Sequence, residues 1–390
     1  MKLLRTLSTR RLIAAVATIL LVAVAGTVAA VAARGGSGPT PPPEPLPVAI
    51  HDALTAQAPV GISARIRFTN TLFPSGALLG QTTSPLIAGA TGRLWATSDG
   101  GRLELQSDAG DAQIVWNNTK LTVYDGTSNT AYVFDLPQQR AAGTQETHSA
   151  PTIDEITKFL ADAAARWSIS GAQPDNVAGR EAYRVDVSPK QDGGLLGSFE
   201  LAWDAARGVP LRVAVYAKGA SSPALALEAT DISFGPIAPS TIDIAPPANA
   251  KVVDFSSKQR QPGSPGVPPV TGAPAVRAAA PWAVLPDALA GRSLQDVRLV
   301  GPSDSRAVTA VYGQGLGAVV VLERQKPGAG GTSQSNPMGS LPTVTLNGTE
   351  AHELSTQLGT ALTWERGGVA FVLAGSVPSA VAEASARALG

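Results

Sequence analysis

The chain has 390 residues, with 30 Lys and Arg against 30 Asp and Glu, 3 His and no Cys. Without cysteine there is no disulfide framework, zinc–thiolate or iron–sulfur site, thiol chemistry or lipid-modified cysteine, and zero net charge lacks the basic footprint that phosphate contacts require, so nucleic acid is not an expected partner. Apolar residues at 44%, charged residues at 15%, Gly 40 and Pro 31 describe two modest cores divided by turns and linkers.

The zero is an average. Lys2, Arg5, Arg10, Arg11 and Arg34 put +5 on the first 34 residues, leaving 25 basic against 30 acidic residues in the rest. Residues 1–11 form a basic tail, and Leu12 to Ala33 is an uncharged run of 22 residues. At 1.5 Å per residue that run spans about 33 Å, enough for a bilayer core. Basic residues ahead of it place the N-terminus inside and the bulk of the chain outside the membrane. The small-x-small triplet Ala30-Val31-Ala32 keeps a cleaved signal peptide, and hence secretion, as the alternative.

Residues 34–47, RGGSGPTPPPEPLP, are a Gly/Pro spacer that would stand off the membrane as a semi-extended tether. A second such stretch, residues 256–280, separates a block at 48–255 from one at 281–390. The first block opens with a short helix over Val48–Gln57 and then a strand series. In ARIRFTN, Ile66 and Phe68 alternate with Arg65 and Arg67. Runs at Gly92–Thr97, Arg102–Gln106, Gln113–Trp116, Leu121–Tyr124 and Ala131–Phe134 are divided by Asp99-Gly100, Asn117-Asn118 and Asp125-Gly126, the signature of an antiparallel meander. PTIDEITKFLADAAARW interrupts it: Thr152 and Glu155 form a capping box, and Ile153, Ile156, Phe159, Leu160, Ala163 and Trp167 share a helical face. Four further strands follow, with Tyr183, Val185 and Val187 on one face. In the second block a helical turn at Pro286–Ala290, about six short strands, a loop over Lys326–Ser340 and a terminal helix Ser379–Leu389 fit a small sheet with a packed helix.

Little in this pattern points to catalysis. His51, His148 and His352 stand without metal-ligand spacing, and no GxSxG, SxxK or Walker sequence occurs. The Gly313–Gly317 run leads into a strand where a phosphate loop needs a helix N-terminus, so it is a hairpin turn. No metal, cofactor or catalytic residue is expected. What stands out is apolar: Phe68, Trp95, Trp116, Tyr124, Tyr132 and Phe134 in the strands, and Phe159, Leu160 and Trp167 on the helix. A sheet with so few helices either closes or leaves an apolar hollow of the kind that holds a lipid. The same residues would serve an ordinary core, and composition does not separate the two.

GRLWATSDGGRLELQ, AGREAYRVDVSPK, the WDAARGVPLRV strand pair at Trp203–Val213 and the PPANAKV ending at Pro246–Val252 resemble the LolA/LppX/RseB superfamily, in the LolA-like form of high-GC Gram-positive bacteria, over roughly residues 48–254. The block at 281–390, with GQGLGAVVVLER and the strand-GG-strand-GSVP-helix pattern, is similar to the C-terminal domains of RseB/MucB-type regulators. The resemblance implies a mainly β, α+β architecture: an open half-barrel of about 11 antiparallel strands with a helical lid over an apolar cavity, then a small sheet domain with a terminal helix. It implies a non-catalytic extracytoplasmic carrier or sensor of a lipid or lipoprotein acyl chain, with the alternative of a regulator of a membrane anti-sigma factor. It also implies an internal arginine that pins the lid, for which Arg102 is the first candidate and Arg93 the second.

Overall fold

The computed structural model describes residues 38–72, 85–136, 150–191, 193–255, 270–301, 306–325 and 341–389. The apolar run 12–33, His148 and the 326–340 loop lie outside them.

The first block begins with α1 (Leu46–Thr55), β1 (Ile62–Asn70) and α2 (Pro85–Ala88). The meander follows as β2 (Ala90–Thr97), β3 (Gly100–Ser107), β4 (Gly110–Asn117), β5 (Lys120–Asp125) and β6 (Thr130–Asp135), each antiparallel to the next. The Asx turns work as their chemistry requires. At the β4–β5 turn the Asn117 side chain accepts from the amides of Thr119 (2.9 Å) and Lys120 (2.8 Å). Next come α3 (Ile153–Ala163), β7 (Trp167–Ile169), β8 (Gln173–Val177), β9 (Arg180–Pro189), β10 (Leu196–Asp204), β11 (Pro210–Ala217), β12 (Leu225–Phe234), α4 (Pro239–Ile242) and β13 (Lys251–Asp254). They build a seven-stranded sheet ordered β1-β12-β11-β10-β9-β7, with β8 beside β9, and a six-stranded sheet ordered β13-β6-β5-β4-β3-β2. The sheets abut where β1 runs beside β2, and Ile66, Leu94, Leu103, Leu105 and Trp116 form one buried cluster across that seam.

Several expectations are corrected. Among its described residues this region holds 13 strands, where about 11 are expected. β7, β8 and β13 are additional to the expected set: β8 is the polar, Pro-containing QPDNV, and β13 joins β6 in parallel, a pairing with no turn signal. The capping box is present, with Thr152 Oγ1 accepting from Glu155 N (3.3 Å) and Glu155 Oε2 accepting from Thr152 N (2.8 Å). However, α3 ends at Ala163 and residues 164–166 turn, so Trp167 opens β7 and pairs with Pro189 instead of extending the helical face. Residues 38–45, expected as free tether, have no regular structure but are docked: Asn176 Nδ2 and Tyr183 Oη donate to the carbonyls of Pro39 and Pro42, each at 2.7 Å.

The second block contains β14 (Val270–Thr271), α5 (Ala273–Ala279), β15 (Ala288–Leu289), β16 (Arg292–Val300), β17 (Ala307–Tyr312), β18 (Val319–Gln325), β19 (Thr343–Leu346), β20 (Thr349–Thr356), β21 (Gly359–Arg366), β22 (Val369–Gly375) and α6 (Ser379–Ala388). The nine strands form one sheet, ordered β14-β16-β17-β18-β22-β21-β20-β19, with β15 beside β16. The spacer expected over 256–280 is therefore structured from Val270 onward. Val276 and Ala280 are fully buried against Tyr312, Phe371 and Leu373. The helical turn expected at Pro286–Ala290 is instead the short strand β15, paired to Arg292 and Ser293. Gly313–Gly317 joins β17 to β18 as a hairpin connection.

Among the described residues, hydrogen bonds join the blocks at two places. Leu195 N, in the β9–β10 connection, donates to Ser376 O (3.1 Å) and Oγ (3.0 Å) beyond β22, and Gln357 Nε2 donates to Thr71 O (2.8 Å).

Candidate ligand-binding face

Alternation along each strand and the register between strands assign every side chain of the first block to one of two faces. One face is apolar. Phe68 lies opposite Leu227, which faces Val213, then Leu201, then Val185. The next row is Leu225, Val215, Phe199 and Val187. In the six-stranded sheet the same face carries Leu94, Leu103, Ile114, Val123 and Tyr132 in register, and beside them Trp116, Leu121 and Phe134. At the seam, this face packs tightly around Ile66. Trp116 there seats its indole on Gly101, where any Cβ would overlap the ring.

Helices cover only part of this face. Leu46 and Ala49 of α1 and Leu160 of α3 pack on Tyr183, Val185 and Trp203. Leu86 of α2 joins the seam cluster, and Asn70 Nδ2 donates to its carbonyl (2.8 Å). Between these covers Phe199 and Leu201 remain 39% and 37% exposed, and Phe159 on α3 is 70% exposed. Trp167 lies 6.3 Å from Phe199, ring to ring. At the far edge Phe255 stacks on Phe134 (5.0 Å) and reaches Tyr132 (6.4 Å).

Phe68, Trp116, Tyr132 and Phe134 therefore share the apolar face. Leu160 and Trp167 border it. Phe159, a cavity candidate from its helical face, is largely exposed on α3. Trp95 and Tyr124 are on the opposite face, since their strand neighbours Leu94 and Val123 occupy this one. Trp95 stacks under the Arg102 guanidinium at 5.3 Å, and the Tyr124 hydroxyl donates to Asn129 Oδ1 (3.0 Å). Phe199, Leu201 and Phe255 were not singled out from sequence, although Phe199, Leu201 and Trp203 alternate plainly in SFELAW.

Arg102 also sits on the polar face. It pairs with Glu104, and its Nη1 donates to the Thr241 carbonyl of α4 (3.0 Å). It thus holds α4, and among the described residues it reaches neither α1 nor α3. Arg93 is exposed in register with Glu104. A cavity of about 460 Å³ opens at the β2–β3 turn beside α4, walled by Val60, Asp99, Trp116, Ile237, Ile242 and Asp243 among others.

Buried charge lies behind the apolar rows. Arg212 pairs with Glu200 and, at 3.2 Å, with Glu228, and Tyr216 Oη donates to Glu200 Oε2 (2.9 Å). Burial, partly offset by Arg212, pushes the Glu228 carboxyl up to about 7. His51 contacts Asp52 at 3.1 Å, the His352 ring approaches Leu341 O at 3.4 Å, and among the described residues no three His, Cys, Asp or Glu side chains gather as a metal site.

No family model and no curated protein matches this chain. Solved structures do. The crystal structure of MucB in complex with MucA(peri) aligns at 14% identity and TM-score 0.42, covering 87% of this chain and 96% of that one. The Pseudomonas aeruginosa MucA/MucB complex aligns at 15% identity and TM-score 0.43, covering 87% and 95%. An uncharacterized conserved protein from Thermus thermophilus aligns at 10% and 0.31, over 53% of this chain and 95% of its own. Likenesses of this size assign no residue role.

Proposed function

We propose that this chain is a non-catalytic, extracytoplasmic binding protein, held at the membrane by its N-terminal apolar run, whose first domain takes a lipid acyl chain on its apolar face. The observation that carries this is the uncovered stretch of that face around Phe199 and Leu201, bordered by Leu160 and Trp167. Such surface is costly to leave in water, and each buried CH₂ of a ligand contributes about 0.8 kcal/mol, so one chain binds usefully without a polar anchor. Native mass spectrometry of the purified protein is expected to show co-purified lipid, and Leu201→Asp with Phe199→Asp to remove it while the circular dichroism spectrum is kept. A wild-type protein that carries no lipid and takes up no fluorescent fatty acid sinks the proposal.

A second reading is a regulator that binds a membrane anti-sigma factor through the second domain. Its support is the side of that sheet turned away from α5 and α6, where Val311 faces Val320 and Leu322 faces Val372, with Val320 and Val372 exposed. Pull-down with the extracytoplasmic part of a candidate anti-sigma factor tests it. Capture by the full chain that survives Val320→Asp and Val372→Asp counts against this surface.

A further inference from the structure

We infer that residues 38–45 are a docking strap that holds one end of the first sheet against the bilayer, presenting Arg207 to lipid headgroups. This rests on the retained anchor proposed above.

Each end of the strap is fixed. The Asn176 side chain packs on Gly38 and donates to Pro39 O at 2.7 Å, Pro41 is buried, and Tyr183 Oη donates to Pro42 O at 2.7 Å. Immediately beyond, Leu46 and Ala49 enter the Tyr183/Trp203 cluster. Burial and then the Glu44 charge push the Tyr183 hydroxyl up to about 12, so it remains a donor at any physiological pH. Between the last residue of the apolar run, Ala33, and the strap at Gly38 there are five Cα–Cα steps, a reach of at most about 18 Å. A free spacer over 34–47 would reach about 50 Å.

The strap also selects which end of the sheet faces the membrane. Asn176 pairs with Glu181 near the β8–β9 turn at Ala178–Gly179. The β10–β11 turn lies alongside, Ala205 N donating to Glu181 O at 2.9 Å. There Phe234 stacks with the guanidinium groups of Arg180 (5.2 Å) and Arg207 (4.7 Å). Asp204 neutralises Arg180 at 2.7 Å, while no ion pair engages Arg207 among the described residues. Glu181 is exposed nearby, so the short leash does most of the positioning and Arg207 adds the contribution of one cation.

Because the chain has no cysteine, single labels report unambiguously. The full-length protein, reconstituted in vesicles of phosphatidylcholine and phosphatidylglycerol containing a headgroup-quenching lipid, would carry a fluorophore at Ala206→Cys or at Ser221→Cys. Both positions are exposed, at opposite ends of β11 and so about 25 Å apart along the strand. Stronger quenching at 206 than at 221 is expected. Asn176→Ala with Tyr183→Phe, which frees the strap, is expected to erase the difference with the melting transition kept. Arg207→Gln is expected to lower the docked-to-undocked ratio about fivefold, the equivalent of about 1 kcal/mol per arginine near an anionic surface. Equal quenching at the two sites in a chain that resists carbonate extraction overturns the strap inference alone. Release of a chain whose intact mass lacks residues 1–33 overturns the anchor reading, and the strap's role with it.

Discussion

The two domains solve one problem in opposite ways. Each is built of largely antiparallel sheet, two abutting sheets in the first and one in the second, with one apolar face and few helices to cover it. In the second domain α5, α6 and the 280–289 segment that ends in β15 seal that face: Tyr312, Leu362, Phe371 and Leu373 are buried, and Trp364 stacks on Phe371 at 4.9 Å. In the first, α1 and α3 cover only the β9–β10 end, and Phe199 and Leu201 stay partly open. The same alternating sequence pattern thus yields a packed core in one case and an open apolar face in the other. What differs is the width of sheet that each helix pair has to cover.

The largest effect that tests this contrast is on stability. Phe371→Ala is expected to cost the second domain about 3–5 kcal/mol, since it opens a cavity under the helices, whereas Phe199→Ala costs about 1 kcal/mol in the first. Chemical denaturation of the two variants measures this, and equal losses would mean that the first face is as closed as the second.

A smaller effect is a pH dependence inside the sealed core, of the same kind that Glu228 carries in the first block. Glu323 is fully buried in the sealed core with one hydrogen bond, from Val284 N at 2.7 Å. Burial pushes its carboxyl up to about 7 from 4.5. A folded-state value above the unfolded one means that the native state binds the proton more tightly. The contribution of this group to stability is then greatest below about pH 4.5 and declines as pH rises through 7. Glu323→Gln should therefore raise the melting temperature more at pH 8 than at pH 5, and a pH-independent difference would contradict it. Smallest is the cap of α3: Thr152→Ala removes the hydroxyl of the capping box and should cost about 1 kcal/mol. Because α3 covers one end of the open face, the same variant should also loosen lipid retention if that helix acts as a cover.

Much of this architecture was legible. Alternation at Arg65–Phe68, the Asx turns of the meander and the Thr152–Glu155 box all act over a few residues, which is the range that sequence patterns report. The errors arose where long-range packing decides. Leu94-Trp95 and Val123-Tyr124 each offer two apolar neighbours, and only the buried cluster at the seam selects Leu94 and leaves Trp95 to Arg102. Trp167 fits the helical period but is claimed by the edge of β9. The α5 helix lies in a Pro/Gly stretch, yet Pro274 near its first turn and the alanines after it were readable as a helix start. Docking of residues 38–45 depends on Asn176 and Tyr183, more than 130 positions later, and no local signal reveals it.

That distance in sequence has a temporal side. β1 pairs Ser63 with Ser233, 170 positions on, and the last strand of the six-stranded sheet, Lys251–Asp254, joins β6 only after that. Closing such loops is slow, since chain entropy is lost before the pairing is gained. As the chain emerges, the edge of β1 that pairs with β12 has no partner until residue 225 has followed it, and that edge is open to other chains in the meantime. The first domain is therefore expected to fold late and as one unit, and to depend meanwhile on whatever shields an unpaired strand.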